Sequence, residues 1–304
     1  MTLPVDVDRF LADAELVLAP EDPRPGSWAG GPSAQFVAGT WWLAHRLRRP
    51  VGEGRGFANV VSRSADGVHF TPVATVLRES FACDSLERPA LVHTPEGRWR
   101  LYVSCATPGT KHWRVDLLEA DTVEGLAGAP ARTVLGSGPV PGSAVKDPVI
   151  RHEGGVGGQG REHGARWHLW ASVHPLDDPD ATDRMTTEHA VSADGVAWTW
   201  VDTALTGTPG TWDARGVRFA AVLGDWALYD GRASAAENWE ERTGVAVRDG
   251  EGWRALPDGP HLQGPDGGLR YADAVELPGG DVRWFYEITR PDGAHELRTV
   301  LLPG

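Results

Sequence analysis

The chain has 304 residues, of which 41% are hydrophobic and 23% charged, and its formal net charge is −13 at pH 7. This composition is typical of a globular protein and excludes extended disorder. The excess of acidic residues argues against nucleic acid and anionic membrane surfaces as partners, because both favour a basic face on the protein. A neutral ligand such as a sugar is compatible with this charge.

Cysteine and histidine give no sign of a disulfide framework or a metal cluster. Cys83 and Cys105 are the only cysteines, and we expect both to be small core residues. The 11 histidines show neither HExxH nor His-x-His spacing. We therefore expect no cofactor and no metal at the active centre. A structural calcium ion or a water in a central channel is left open.

The N-terminal residues 1–8 lack a basic region followed by an apolar run. No apolar stretch approaches the roughly 20 residues of a membrane span. On these grounds we expect a cytoplasmic protein, and the oligomeric state is left open.

The residue composition favours an all-β protein with many short strands, since the chain has 14 Trp, 38 Gly and 23 Pro. Residues 5–14 predict one short helix and residues 15–20 a strand. A glycine-rich loop is predicted at 154–160 and a longer loop at 127–141. From Trp28 onward, alternating segments separated by turn signals predict strands. These strands lie at 35–38, 40–46, 59–63, 68–73, 90–93, 98–104, 113–118, 148–152, 167–173, 186–191, 196–198, 217–223, 226–232, 243–248, 272–276, 282–288 and 296–302.

Short phrases that place a charged or glycine residue just before an apolar strand recur along the chain. Two Ser-Ala-Asp-Gly turns, at 64–67 and 192–195, lie 128 residues apart, close to two repeat lengths. A repeat of this kind decides the fold and has to be settled first. The repeat markers, separated by 56, 60, 66 and 60 residues, are Gly31, Glu87, Asp147, Asp213 and Asp273.

The repeats predict a five-bladed β-propeller, since each unit holds about four antiparallel strands. We expect a single domain over residues 1–304. The last repeat lacks a strand, and we expect the N-terminal strand near Leu16–Leu18 to complete it. Six blades of about 50 residues each is an alternative that the marker spacing does not fit.

The repeated pattern runs from a charged residue and a proline into an apolar strand, then through a turn into an aromatic strand and Ser-x-Asp-Gly-x-x-Trp/Phe. Residues 146–150 (Lys-Asp-Pro-Val-Ile) give the clearest start, and residues 229–232 with 238–246 form a second distinctive segment. Over about residues 28–300, this pattern resembles the five-bladed propeller glycosidases of glycoside hydrolase family 43 and its relatives in families 32, 62 and 130.

The resemblance implies a central pit where the inner strands converge. It also implies an Asp of the first blade as general base, a second Asp that orients and tunes, and a Glu from another blade as general acid. By position, Asp147 matches the tuning Asp, Asp213 begins the fourth repeat and Glu87 the second. Gly31, before Pro32, stands where the family has its blade-one Asp. The base is therefore missing, displaced or replaced by another carboxylate.

Glycoside cleavage needs one carboxyl group to protonate the leaving oxygen and another to activate water or attack the sugar. Crowded carboxylates raise one another's pKa and neighbouring cations lower it, so a mixed ring can hold an acid and a base together. We predict such a ring in the pit, with salt-bridged strand ends as the alternative reading. Its acidic members are Glu87, Asp147, Asp213 and Asp273, and its cations are Arg88, Lys146, Arg215 and Arg270.

A second group of candidates lies around Tyr229 in the fourth repeat. Asp230 and Arg232 are predicted ligand contacts, and Glu237 or Glu241 is a candidate acid, with solvated ion pairs as the alternative. His174 ends an aromatic strand and is a candidate to bind substrate or to hold a water or ion. The aromatic residues that could stack on a sugar, with core packing as an equal alternative, are Trp28, Trp212 and Tyr271.

These features predict a glycosidase-like carbohydrate-active enzyme that cleaves a small glycoside or oligosaccharide in a central acidic pit. The predicted partner is a small carbohydrate or a glycosylated small molecule. One alternative is phosphorolysis, with Arg88, Lys146 and Arg215 holding phosphate. Others are a sugar-binding or repurposed propeller, because of Gly31, and a protein-interaction scaffold. The predicted catalytic residues are Glu87, Asp147, Asp213 and Glu237, and the predicted substrate contacts are Trp28, Arg88, Lys146, His174, Trp212, Arg215, Asp230, Arg232, Tyr271 and Asp273.

Overall fold

The structure, a computed structural model, describes residues 6–153 and 166–304. Within these ranges it contains one α-helix, α1 (Val7–Ala12), and twenty β-strands. None of the helices in this part of the chain has the length and apolarity needed to span a bilayer. The predicted glycine-rich loop at 154–160 lies outside the described residues.

The strands are β1 (Glu15–Leu18), β2 (Trp28–Val37), β3 (Thr40–Arg48), β4 (Gly56–Ser64), β5 (Thr71–Leu77), β6 (Ala90–His93), β7 (Trp99–Ala106), β8 (Trp113–Ala120), β9 (Arg132–Leu135), β10 (Ala144–Glu153), β11 (Arg166–His174), β12 (Thr186–Ser192), β13 (Thr199–Leu205), β14 (Gly216–Leu223), β15 (Trp226–Arg232), β16 (Arg242–Asp249), β17 (Gly252–Ala255), β18 (Leu269–Glu276), β19 (Val282–Thr289) and β20 (His295–Leu302). Short 3₁₀ helices lie at Arg78–Phe81, Glu124–Gly128, Pro179–Ala181 and Ala235–Glu237.

In the described ranges the strands form three four-stranded antiparallel sheets and one sheet of eight strands. The four-stranded sheets are β6–β9, β10–β13 and β14–β17. The eight-stranded sheet joins an antiparallel run, β2–β5, to a second run made of β18–β20. The join is a parallel pairing of Trp28 with His295. The predicted all-β class with four-stranded antiparallel sheets is confirmed, and the mixed eight-stranded sheet is a feature that the repeat did not predict.

The run β18–β20 gains a further strand from the other end of the sequence. β1 lies antiparallel along β20, with Glu15 opposite Thr299 and Leu16 opposite Arg298. Since β19 occupies one edge of β20, β1 and the start of β2 share the other edge.

The first strands of successive runs contact one another in a closed cycle. β2 contacts β6, β6 contacts β10, β10 contacts β14, β14 contacts β18, and β18 contacts β2. The core follows the same arrangement, because its clusters lie between neighbouring runs. One cluster packs Val61 of β4 against Leu101 of β7, and another packs Val115 of β8 against Leu169 of β11. Apolar faces buried between runs therefore hold the first strands around a common centre.

Several elements differ from the sequence-based expectation. The strand predicted at 196–198 lies at Thr199–Leu205, the strand predicted at 68–73 lies at Thr71–Leu77, and β17 (Gly252–Ala255) was not predicted. The helix predicted over 5–14 is limited to Val7–Ala12, because the Asp6 side chain accepts a hydrogen bond from the Arg9 amide and so begins the helix there. The loop predicted over 127–141 contains β9, a short strand that pairs with β8. β9 is an outer strand with two exposed residues, so it carries little of the hydrophobic alternation that predicts a strand.

β-Bulges interrupt three of the first strands, β2, β10 and β18, at corresponding places. The pairing register shifts between Gly30 and Ser33 in β2, between Lys146 and Val149 in β10, and between Arg270 and Asp273 in β18. The residues inside these bulges adopt the left-handed conformation, with φ of 60° at Gly31, 53° at Asp147 and 54° at Tyr271. The charged-residue-and-proline phrase at the start of β10 is therefore a bulge, a device that re-aims side chains.

The two Ser-Ala-Asp-Gly turns are the same structure at two places. In each, the serine hydroxyl oxygen accepts the amide of the following glycine at 2.9 Å. In each, the aspartate Oδ1 accepts two further amides, from Val68 and His69 for Asp66 and from Val196 and Ala197 for Asp194. Both turns link the third and fourth strands of a run, which gives the sequence repeat a physical basis.

Substitution of Asp194 by alanine is expected to destabilise the fold by about 1 kcal/mol, because two backbone amides lose their acceptor. Chemical denaturation of the wild type and the variant measures the difference. Asp194→Asn keeps the Oδ1 acceptor and is the matched control. Equal losses in both variants would contradict the role assigned to these two hydrogen bonds.

Candidate active site

A cavity of about 210 Å³ opens where the first strands meet. Each first strand, or the segment that leads into it, contributes to its wall. The contributing residues are Trp28 of β2, Glu87 before β6, Lys146 of β10, Arg218 of β14 and Tyr271 of β18. The beginnings of the sequence repeats therefore come together at one place.

The cavity wall is cationic, which differs from the acidic pit expected from the sequence. Only three carboxylates of the described residues line it, namely Glu87, Asp183 and Glu241. The basic side chains that line it are Arg46, Arg55, Lys111, Lys146, Arg218, Arg232 and Arg270.

Eight of the sequence-predicted site residues line the cavity. They are Trp28, Glu87, Lys146, His174, Arg232, Glu241, Arg270 and Tyr271. Tyr271 lies at the centre of the basic groups, with the guanidinium carbons of Arg218 and Arg46 at 3.8 and 5.4 Å from its ring centroid. Those of Arg270 and Arg88 lie at 5.1 and 5.8 Å. Burial raises the pKa of the Tyr271 hydroxyl, so this group stays protonated at neutral pH.

Asp147, Asp230 and Asp273 are buried behind the wall and do not line the cavity. Asp147 Oδ2 accepts the Tyr271 hydroxyl at 3.2 Å and lies 3.5 Å from both Lys146 Nζ and Arg218 Nη1. Burial opposes its charge, but these cations outweigh the effect and lower the pKa of Asp147. Asp147 therefore does not face the cavity itself. It holds in place the groups that do.

Asp230 holds the same wall from behind, and Asp273 anchors the backbone of β2. Asp230 accepts Arg218 Nε at 2.9 Å, and burial raises the pKa of its carboxyl group. Asp273 accepts the backbone amide of Ala34 at 2.7 Å. The side chain of Arg88, also predicted to bind substrate, is buried and donates Nε to the backbone oxygen of Pro32 at 3.0 Å.

The four remaining predicted residues lie away from the cavity wall. Asp213 accepts the Tyr229 hydroxyl at 3.0 Å, and the Trp212 ring stacks on Tyr229 in the core. Arg215 pairs with Asp183, with Nη2 at 2.6 Å from its carboxylate. Glu237 pairs with Arg242 at 2.8 Å. The fourth repeat marker, Asp213, precedes β14, so it does not occupy the position that Asp147 holds in β10.

Glu241 anchors three arginines that the sequence patterns did not single out together. Its carboxylate lies 2.5 Å from Arg232 Nη1, 2.6 Å from Arg270 Nη1 and 3.7 Å from Arg218 Nη2. Burial opposes the charge, but the three guanidinium groups hold the pKa of Glu241 well below its usual range. This carboxylate is ionised at neutral pH, so it cannot act as a proton donor there.

Glu87 is the lining carboxylate with the simplest surroundings. Its side chain is 12% exposed and forms an ion pair with Arg46. Its backbone is fixed, because its amide donates to the Ser104 oxygen at 2.9 Å and its own oxygen accepts Asn59 Nδ2 at 3.2 Å. A carboxylate held in this way at the cavity wall can meet a bound ligand directly.

The space beside the bulge of β2 is filled by a side chain from another part of the fold. A Cβ atom on Gly30 would overlap the carboxylate of Glu287, a residue of β19. Glu287 lies 2.7 Å from Arg270 Nη2 and 3.2 Å from Arg46 Nη2, and these cations hold its pKa well below the usual range despite burial. A buried glutamate from another run therefore supplies negative charge beside the bulge that contains Gly31.

Lys146 and His174 share the electrostatics of this wall. Burial lowers the pKa of Lys146 to about 8, and the charges of Arg218 and Arg46 act in the same direction while Asp147 opposes them. Burial lowers the pKa of His174 to about 3, with Lys146 and Arg232 adding to the effect. His174 is therefore a neutral imidazole at physiological pH, and the ammonium group of Lys146 is poised near its titration range.

Trp239 is a wall residue that the sequence reasoning did not select. It is half-buried, has a φ of 83°, and lies edge-on to Trp28 at a centroid distance of 5.1 Å. The guanidinium carbon of Arg48 lies beside both rings, 4.2 Å from the centroid of Trp28 and 4.7 Å from that of Trp239. Trp28 itself is 2% exposed, so Trp239 offers the more accessible aromatic surface for a sugar.

Within residues 6–153 and 166–304, no group of three or more His, Cys, Asp or Glu side chains is arranged to hold a metal ion. No protein-family model and no curated protein sequence matches the chain.

Solved structures with a similar fold nevertheless cover nearly the whole chain. A β-1,2-mannobiose phosphorylase from Listeria innocua, in complex with β-1,2-mannobiose, is 13% identical, with a TM-score of 0.65 over 94% of this chain and 92% of that one. A thermostable family-43 glycoside hydrolase is 14% identical, with a TM-score of 0.62 over 92% and 91%. A GH62 hydrolase in complex with xylotriose is 10% identical, with a TM-score of 0.62 over 95% of both chains. The chain therefore shares its fold with glycoside hydrolases and a mannoside phosphorylase.

Proposed function

We propose that this protein is a five-bladed β-propeller and a carbohydrate-active enzyme that cleaves the glycosidic bond of a small glycoside in the cationic cavity. The blade count rests on the closed cycle of the first strands β2, β6, β10, β14 and β18. In this reading the eight-stranded sheet is two blades, with β1 as the outer strand of the last one. Four-stranded antiparallel sheets repeated around an axis define a propeller.

The observation that carries the proposed activity is the place of Glu87 in the cavity wall. Glu241 is locked by three arginines, and Asp183 is paired with Arg215. Glu87 has one ion-pair partner, Arg46, and an accessible side chain. We assign to Glu87 the protonation of the leaving glycosidic oxygen, a step that a positioned carboxyl group accelerates by about 10²–10⁴-fold.

We assign positioning roles to Asp147 and Asp213 in place of direct contact with the sugar. Asp147 orients Lys146, Arg218 and the hydroxyl of Tyr271 from behind the wall. Asp213 orients Tyr229 and does not line the cavity. In this proposal neither residue is the second carboxylate of a hydrolase pair.

The described wall offers no second carboxylate with surroundings as simple as those of Glu87, so the attacking group has to come from elsewhere. Phosphorolysis needs only one carboxyl group, because phosphate brings its own negative charge as the attacking group. The basic wall favours this route over attack by water activated by a base. The lack of a second candidate carboxylate in the described wall also favours a second candidate function, a sugar-binding propeller without turnover.

Incubation of the protein with aryl glycosides and short oligosaccharides, with and without phosphate, separates these routes when anomeric proton signals are followed by NMR. Free sugar that is released without phosphate identifies a hydrolase, and a sugar 1-phosphate formed only with phosphate identifies a phosphorylase. A panel that yields no product, although sugars raise the melting temperature, would contradict the enzyme and support the binding protein.

A further inference from the structure

Basic side chains are concentrated at the cavity in a way that the acidic composition of the chain does not explain. The chain carries a net charge of −13, and its only lysines are Lys111 and Lys146. Both lysines line the cavity, together with five arginines. The buried carboxylates that balance these charges, such as Asp147 and Asp230, lie behind the wall. A ligand in the cavity would therefore meet cationic groups first.

Three arginines of the wall keep donor groups free. Arg46, Arg218 and Arg232 are each no more than 2% exposed. Arg46 Nε, Arg218 Nη2 and Arg232 Nε make no hydrogen bond within the described part of the chain. Arg218 Nη2 lies 3.7 Å from Glu241, beyond hydrogen-bond distance. A buried donor without an acceptor is costly, so such groups in a cavity wall indicate a ligand that supplies the acceptor.

We propose that the glycoside bound in this cavity is acidic, and that its carboxylate or sulfate group is held by Arg218 and Lys146 together with Arg46 or Arg232. Guanidinium groups bind planar and tetrahedral oxyanions with two parallel hydrogen bonds, which makes them suited to this role. Arg218 and Lys146 lie close together, because both contact the same oxygen of Asp147 at 3.5 Å.

The size and the aromatic lining of the cavity favour an anion carried on a sugar over a free ion. Its volume of about 210 Å³ is several times the ~30 Å³ occupied by one water molecule in the liquid. Trp239 and Trp113 line the same space, and aromatic faces pack against the carbon–hydrogen faces of sugar rings. The proposal rests on the proposed function and adds the chemical class of the sugar. It is tested by binding alone, so a protein without turnover could still confirm or contradict it.

The ammonium group of Lys146 gives the binding a pH signature. The charged groups that face it are Asp147 on its own strand, Arg218 of β14, Arg46 of β3 and Glu241 of the loop before β16. His174 of β11 is neutral, and the Trp113 ring lies 5.1 Å from Nζ. Since the pKa of Lys146 is lowered to about 8, the ammonium group is lost as the pH rises through that value. Affinity for an acidic sugar is therefore expected to fall over the same range.

Calorimetric titration of the full chain with matched pairs of sugars tests the proposal. The pairs are glucuronate with glucose, galacturonate with galactose, and glucose 6-sulfate with glucose, and inorganic phosphate alone is the free-ion probe. At least one acidic member is expected to bind about tenfold or more tightly than its neutral partner. Lys146→Gln is expected to weaken binding of the acidic member more than binding of its neutral partner, and so to reduce that preference. Arg254→Gln removes a cation of an exposed ion pair with Asp249. It is expected to change neither the affinity for the acidic sugar nor that for the neutral one.

Because the chain has only two lysines, NMR of labelled lysine side chains offers a second readout on the wild-type protein. After reductive methylation with ¹³C-formaldehyde, Lys111 and Lys146 give the side-chain methyl signals, and Lys111→Gln assigns them. An acidic sugar is expected to move the titration midpoint of Lys146 upward from about 8, because a bound anion stabilises the ammonium form. Equal affinity within every pair, with no movement of this midpoint, would overturn the proposal. Phosphate that binds tightly while no acidic sugar outcompetes its neutral partner would also overturn it and assign the wall to a free co-substrate.

Discussion

Replacement of Glu87 by glutamine is expected to reduce kcat by about 10²–10⁴-fold on every glycoside that the protein cleaves with a poor leaving group. The amide keeps the size of the side chain but cannot deliver a proton to the departing oxygen. Because the backbone of Glu87 is hydrogen-bonded to Ser104 and Asn59, the substitution should not displace the segment that leads into β6. The measurement compares kcat and KM for the wild type and the variant.

The leaving group distinguishes a catalytic acid from a structural residue. The dinitrophenolate of a dinitrophenyl glycoside leaves as an anion and needs no proton. The Glu87→Gln variant is therefore expected to retain most of the wild-type activity on that substrate. Asp249→Asn removes an exposed carboxylate that pairs with Arg254 far from the cavity, and it should behave as the wild type on both substrates. An equal loss on good and poor leaving groups would contradict proton donation by Glu87.

Replacement of Glu241 by glutamine is expected to destabilise the protein by about 3–5 kcal/mol, the usual effect of removing one partner from a buried ion pair. The change leaves Arg218, Arg232 and Arg270 facing one another without the carboxylate that now lies among them. Chemical denaturation measures the loss. Glu237→Gln in the same loop breaks a half-exposed pair with Arg242 and is expected to cost less than about 1 kcal/mol.

The pH dependence of this contribution follows from the direction of the pKa. In the folded protein the pKa of Glu241 lies well below the ordinary value of 4.5. The stabilisation is therefore fully present above the unfolded-state pKa and is lost as the pH falls through the folded-state pKa. The stability difference between the wild type and Glu241→Gln should shrink only in strongly acidic solution. A difference that already disappears near neutral pH would contradict the three-arginine clamp.

The repeat was readable from the sequence because its signals are local. The two Ser-Ala-Asp-Gly turns need a hydroxyl, a carboxylate and a glycine at fixed offsets, and both adopt the same hydrogen-bond pattern. The strand beginnings were also visible, and they led to Glu87, Lys146 and Tyr271 in the cavity wall. Short-range chemistry of this kind leaves a pattern that does not depend on the rest of the chain.

The side-chain directions at the strand beginnings could not be read in the same way. In β10, Lys146 lines the cavity while its neighbour Asp147 is buried, and the bulge holds Asp147 at a φ of 53°. Counting alternate residues along the strand therefore does not give the side-chain directions at this place. A shift of one residue exchanges the faces of a strand. The aspartates expected to face the cavity are therefore buried, and basic side chains line it instead. Arg46 and Arg218 were missed because neither belongs to the charged-residue-and-proline phrase.

The pairing of β1 with β20 has a consequence for the order of folding. Residues 15–18 leave the ribosome long before residues 295–302, and the strand that they form has no partner until β20 exists. Bringing together segments about 280 residues apart carries a loop-closure cost of about 5 kcal/mol unless the intervening runs have already folded. The closing pair is therefore a late step of folding. Until it forms, the open edge of β20 is the site where a newly made chain can pair with another chain instead of with itself.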